Sequence, residues 1–144
     1  MNFDISIIDI NNIDVNSLTL PEIDFKCFII CNYTKPNEDL LLKLIEGKVK
    51  EISTHGKYGS VWEESSDRIC VKYKKNDKKP SGWVVLTSNN NLNSFINFIT
   101  WAHNEFFDDE TNTHNPIVLF YDDESLKDYV LERVDSLLEK QKTN

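Results

Sequence analysis

Glycine is scarce in this 144-residue chain, with four residues in all. No glycine-rich dinucleotide fingerprint and no P-loop is present, so two familiar ways of cradling a phosphate are excluded. Cysteine is scarce too. Cys27, Cys31 and Cys70 are too few, and too apolar in their settings, for a disulfide framework, and a reducing compartment fits them better. Long apolar runs are missing: none approaches the roughly 18 residues of a membrane span. The N-terminal stretch "MNFDISIIDINNID" carries acidic residues where a signal peptide needs basic ones. A soluble cytoplasmic protein without membrane contact is expected.

Basic charge is also in short supply. Sixteen Lys and Arg stand against 24 Asp and Glu, a net charge of −8, and such a field repels phosphate backbones while attracting basic surfaces. Nucleic acid is therefore an unexpected partner and a basic protein the expected one. With no internal repeat, low-complexity segment or linker, residues 1–144 read as a single domain.

What is present is an alternation of elements. "FKCFIICNY" (25–33) is apolar on both alternating faces, as in a strand covered by helices on both sides of its sheet. Pro36 and Asn37 start a helix and Gly56 stops it, with Leu41, Leu44, Ile45 and Ile52 on one face and Gly47 as a weak point. A short strand follows over 57–64, built on Tyr58, Val61 and Trp62. Beyond the lysine-rich 72–79 stretch, read as a solvated loop, a second buried strand covers 83–87. Its helix, about 92–107, puts Leu92, Phe95, Ile96, Ile99, Ala102, His103 and Phe106 on one face. "IVLFYD" (117–122) is a third buried strand, and a final helix from Glu124 buries Leu126, Val130, Val134 and Leu137.

Strands alternating with helices predict an α/β three-layer sandwich with a mostly parallel four- or five-stranded sheet and flavodoxin-like winding. The expected order across the sheet is the 57–64 strand, then 25–33, 83–87 and 117–122, with "FDISIIDI" added at an edge. The rival is an α+β sheet in which 69–87 forms an antiparallel hairpin.

The succession "FKCFIIC", a helix, "YGSVWEESSDR", then "VVLTSNNNL" opening a helix resembles a family of small bacterial proteins of unknown function. The likeness covers about the central two thirds of the chain. It implies a fold and no chemistry.

In open α/β sheets, ligands bind beyond the carboxyl ends of the strands where the winding reverses. The expected order puts that point between the 25–33 and 83–87 strands, gathering Asn32, Thr87, Ser88, Asn89 and Asn90, with Asp122 and Asp123 from the next strand. A small enzyme or nucleotide sensor would use Glu63, Asp122 or Asp123 as acid or base and Ser88 to Asn91 for a phosphate or ribose. The bland reading is preferred at each place. Ser88, Asn90 or Asn91 caps the following helix, and "YDDES" starts another rather than holding a divalent cation. Cys27 and Cys31 lie about 13 Å apart at about 3.3 Å per residue, too far to share a metal or a bridge. Cys31 is the one thiol placed to act as a nucleophile. His103 reads as a core histidine, His55 and His114 as incidental. No catalytic residue, cofactor or metal is assigned.

The leading expectation is a non-catalytic acidic binding protein of the immunity or inhibitor type that neutralises a basic toxin or enzyme. Aromatic residues among carboxylates would carry it, namely Trp62, Glu63, Glu64 and Asp67 in "VWEESSD" and Phe107, Asp108 and Asp109 in "EFFDDE".

Overall fold

The computed structural model describes residues 5–75, 84–106 and 114–142. In chain order the elements are β1 (Ser6–Asp9), two 3₁₀ turns (Ile10–Asn12 and Val15–Ser17), β2 (Phe25–Ile30), α1 (Glu38–Glu46), β3 (Val49–His55), α2 (Gly59–Lys75), β4 (Leu86–Asn89), α3 (Leu92–Glu105), β5 (Ile117–Tyr121) and α4 (Glu124–Lys142). The five strands form one sheet in the order β1-β5-β2-β3-β4, and every adjacent pair is parallel. The chain is an α/β three-layer sandwich.

The layers follow from the apolar pattern of the central strands. Phe25, Cys27 and Ile29 of β2 join Leu40, Leu41, Leu44 and Ile45 of α1 and Trp62 of α2 in one core. Phe28 and Ile30 point the other way, into a second core with Phe95, Ile96 and Ile99 of α3 and Val130, Val134 and Leu138 of α4. Burial of both faces is what forces β2 to the centre. Phe28 and Phe95 meet edge to face at 5.7 Å, an arrangement that suits the ring quadrupoles.

Four sequence expectations are corrected. The helix read from Pro36 to Gly56 ends at Glu46: the Gly47 N–H bonds Leu44 O at 3.1 Å, and beyond it Val49, Ile52 and Thr54 are buried in a strand. Residues 57–64 are not a strand but a turn at Lys57 and Tyr58 followed by the start of α2. Trp62 and Ser66 are buried while Ile69 and Tyr73 are partly buried, a spacing of three to four residues that belongs to a helix. Val71, which an alternating strand through Ile69 and Tyr73 would place on the same face as both, is exposed. The hairpin over 69–87 falls with it, because β4 pairs with β3 in parallel register.

The third correction concerns β4 itself. It begins at Leu86, later than expected, and is a half-exposed edge strand rather than a doubly buried one; Trp83 lies outside the described residues. The fourth is the order. Numbered in chain order from β2, the four main strands run 4-1-2-3 and not 2-1-3-4. From β2 the chain winds outward through β3 to β4 with α1 and α2 on one face, then α3 returns it across the other face to β5. The reversal therefore lies between β2 and β5, and β1 closes the far edge beside β5 as the sequence suggested.

Candidate functional site

The reversal point brings the loop after β2 against the loop after β5. The backbone N–H groups of Asn32, Tyr33 and Thr34 converge there, as they would on an anion. The anion is already supplied by the chain. Asp122, only 8% exposed, accepts Asn32 N–H at 2.8 Å on one oxygen, and Tyr33 N–H at 2.9 Å and Thr34 N–H at 2.8 Å on the other.

The neighbouring groups complete the closure. The Asn32 side chain donates to Asp123 Oδ2 at 2.9 Å and accepts the Lys57 N–H at 2.9 Å. Trp62 Nε1 donates to Thr34 O at 2.8 Å. Gly56 turns the chain at φ 126°, and a Cβ there would stand 2.6 Å from Cys31 O, so a side chain would be strained by backbone and contact alike. Asp123 also caps α4 by accepting Leu126 N–H at 3.1 Å. The hydrogen bond from Asn32, helped by that cap, holds its carboxyl below the usual aspartate range because both bonds favour the charged form.

The ligand set proposed from sequence is thereby divided. Asn32, Asp122 and Asp123 meet at the β2–β5 crevice; Thr87, Ser88, Asn89 and Asn90 sit at the β4 edge, with β3 and β2 between them and β5. The β4 corner also satisfies much of itself. Asn91 caps α3 by accepting Ser94 N–H at 2.9 Å, the role preferred for this cluster from sequence. Ser88 Oγ meets Ser53 Oγ at 3.2 Å and accepts from Asn90 Nδ2 at 3.0 Å. Asn89 Oδ1 accepts from the Thr54 hydroxyl at 3.1 Å. His55, at the end of β3 rather than in a loop, holds Asn90 O through Nδ1 at 2.8 Å.

The three thiols are poor nucleophiles. Burial pushes Cys31 up to about 12, with the nearby Asp122 carboxylate adding to it; burial and then Asp67 raise Cys70 to about 11, and burial raises Cys27 further still. A thiol that stays protonated near neutral pH neither attacks nor ligates readily. Among the described residues no three His, Cys, Asp or Glu side chains gather in a way that could hold a metal ion.

The candidate partner-binding residues fare unequally. Trp62 is fully buried and so is a core residue, not an anchor on the surface. Glu64 and Asp67 are exposed on α2 and Glu63 is half-buried; Phe107, Asp108 and Asp109 lie outside the described residues. Asp67 reaches β4, where it accepts a hydrogen bond from the Thr87 hydroxyl.

Sequence reading missed a set of exposed apolar side chains on α3 and β4. Phe98 and Trp101 of α3 are 43% and 54% exposed and Leu86 of β4 is 64% exposed, although all three are large apolar side chains. The signal was there: positions 98 and 101 fall out of phase with the buried 95, 99 and 102. Lys26 lies 4.6 Å from the Trp101 ring and pairs with Glu51 at 3.0 Å, and Glu51 stands opposite Leu86 in the sheet.

At the other end of the sheet, His103 stacks on His114 at 5.0 Å between ring centres. They line a cavity of about 400 Å³ with Ser6 and Asn115. Compared with protein-family models, curated proteins and solved structures, the chain matches none.

Proposed function

We propose that this protein is a non-catalytic acidic binding protein of the inhibitor or immunity type, which neutralises a basic toxin or enzyme by covering its surface. One observation carries the reading: the crevice in which an α/β sheet ordinarily binds a ligand is occupied by the protein's own Asp122, while Glu64 and Asp67 stand exposed on α2. A carboxylate committed to three backbone N–H groups leaves none of them for a substrate anion. Exposed carboxylates on a chain of net charge −8 instead favour encounter with a basic surface.

The test uses the protein encoded beside this one in its genome, which on this reading is basic. Mixing the two should give a stoichiometric complex whose association slows as salt screens the charges. The triple change Glu63→Lys, Glu64→Lys and Asp67→Lys should weaken it by roughly tenfold or more. Absence of a complex, or one indifferent both to salt and to the triple change, would remove the proposal.

A further inference from the structure

We propose that the free edge of β4 accepts an extended segment of the partner as an added strand, and that the segment alternates basic with apolar residues. This rests on the reading of the chain as an acidic binder and specifies which surface does the binding. Among the described residues β4 pairs only with β3, so its other side presents unpaired backbone groups. Asn90 N–H points inward to Thr54 O at 2.9 Å. Backbone groups alternate along a strand, so those of Ser88 also point inward and those of Thr87 and Asn89 point out.

The two faces flanking this edge differ in chemistry. On the α2 side, Arg68 is tied to Glu38 of α1 at 3.0 Å, which fixes one flank of the helix. The opposite flank overhangs β4 and carries Glu63 and Asp67, the latter bonded to Thr87. Four residues apart, these carboxylates are about 6 Å from one another along the helix. Alternate residues of a strand recur at about 6.6 Å, so two basic side chains at i and i+2 of an added strand match the pair. Lys74 lies on the same flank beyond Asp67, so the basic residues belong toward the carboxyl end of β4.

The α3 side is apolar. Asn104 of α3 bonds Gln141 of α4 at 2.5 Å, which turns the opposite flank, with Phe98, toward β4. Leu86 projects from the strand on this same face, since its neighbour in phase, Ser88, meets Ser53 there. A segment added at this edge thus places its odd residues against carboxylates and its even residues against Leu86 and Phe98. A second copy of the chain fits poorly, because at −8 each it would set carboxylates against carboxylates.

The probe is a capped octapeptide alternating lysine and valine, compared with one of the same composition written as a lysine block followed by a valine block. Fluorescence anisotropy should show the alternating peptide binding at least tenfold more tightly. Affinity should fall at least tenfold with Glu63→Lys plus Asp67→Lys, with Leu86→Glu, and with N-methylation of alternate peptide bonds along one edge of the peptide. Circular dichroism of each variant confirms the fold. No binding, equal binding of the two peptides, or indifference to N-methylation would overturn the inference, as would a dimer that Leu86→Glu dissociates. A basic partner protein held equally by wild type and Leu86→Glu would remove the edge strand while leaving the acidic-binder reading intact; loss of partner binding altogether would remove that reading itself.

Discussion

Two strand-to-helix corners of this protein use the same polar vocabulary and reach opposite ends. At the β5–α4 corner, Asp122 and Asp123 are bound into the loop after β2. At the β4–α3 corner, Asn91 caps its helix, but the strand leading into it leaves Leu86 largely in solvent. The difference is position in the sheet. Among the described residues β5 has a neighbour on each side, and β4 has one. The central corner is closed by the loop after β2; among the described residues the edge corner closes against β3 and α2 on one side alone. The proposed binding surface accordingly lies at the open edge, and not in the crevice that the fold class would suggest.

Mutations can break this comparison in order of expected effect. The largest belongs to the closed corner's support. Trp62→Ala removes a buried indole and its bond to Thr34 O and should cost about 3–5 kcal/mol in urea denaturation; a cost under about 1 kcal/mol would mean the ring is not core after all. Next, Asp122→Ala leaves the N–H groups of Asn32, Tyr33 and Thr34 without their acceptor, for about 2–4 kcal/mol. Ser88→Ala, at the open corner, should cost no more than about 1 kcal/mol, and equal losses at the two sites would erase the distinction between the corners.

A smaller effect is readable in acid. The Asp123 carboxyl titrates below the ordinary value of 3.8 because of the Asn32 hydrogen bond and the α4 cap. A group lowered on folding contributes stability above its unfolded pKa, and that contribution disappears as pH falls through the folded one. Wild type should therefore lose its advantage over Asp123→Asn below about pH 4, with a smaller difference at high salt because the side chain is partly exposed. A constant difference between the two proteins from neutral pH to strong acid would count against this. Smallest of all is Leu86→Glu, expected to change stability by about 0.5 kcal/mol or less; a loss above about 2 kcal/mol would show that the residue is packed and the edge not free.

Much of the fold was legible because some segments carry a single unambiguous period. β2 and β5 are apolar on both faces, and α3 repeats Phe95, Ile99 and Ala102 in phase. Residues 47–64 were misread for the converse reason. β3 mixes buried Val49, Ile52 and Thr54 with Lys50 and Glu51, so a helix running on past Gly47 looked equally good. In α2 the core face is completed by Ser65 and Ser66, small polar residues that leave no apolar stripe to read; the Ser66 hydroxyl is satisfied by Trp62 O at 2.8 Å. With α2 taken as a strand, Trp62 seemed to sit among exposed carboxylates instead of beneath them.

By itself the sequence determined the class of architecture, the acidic field, and that polar clusters at 88–91 and 122–123 start helices, since each depends on groups close together in the chain or on composition alone. Tertiary structure decided the rest. Asp122 meets its three amides across 88 to 90 positions, and β5 returns beside β2 only because α3 carries the chain back over the sheet. No local signal specifies which strand ends at an edge, because the place of β4 beyond β3, last in the order of the described strands, is a fact about the whole sheet and not about the residues Leu86 to Asn89.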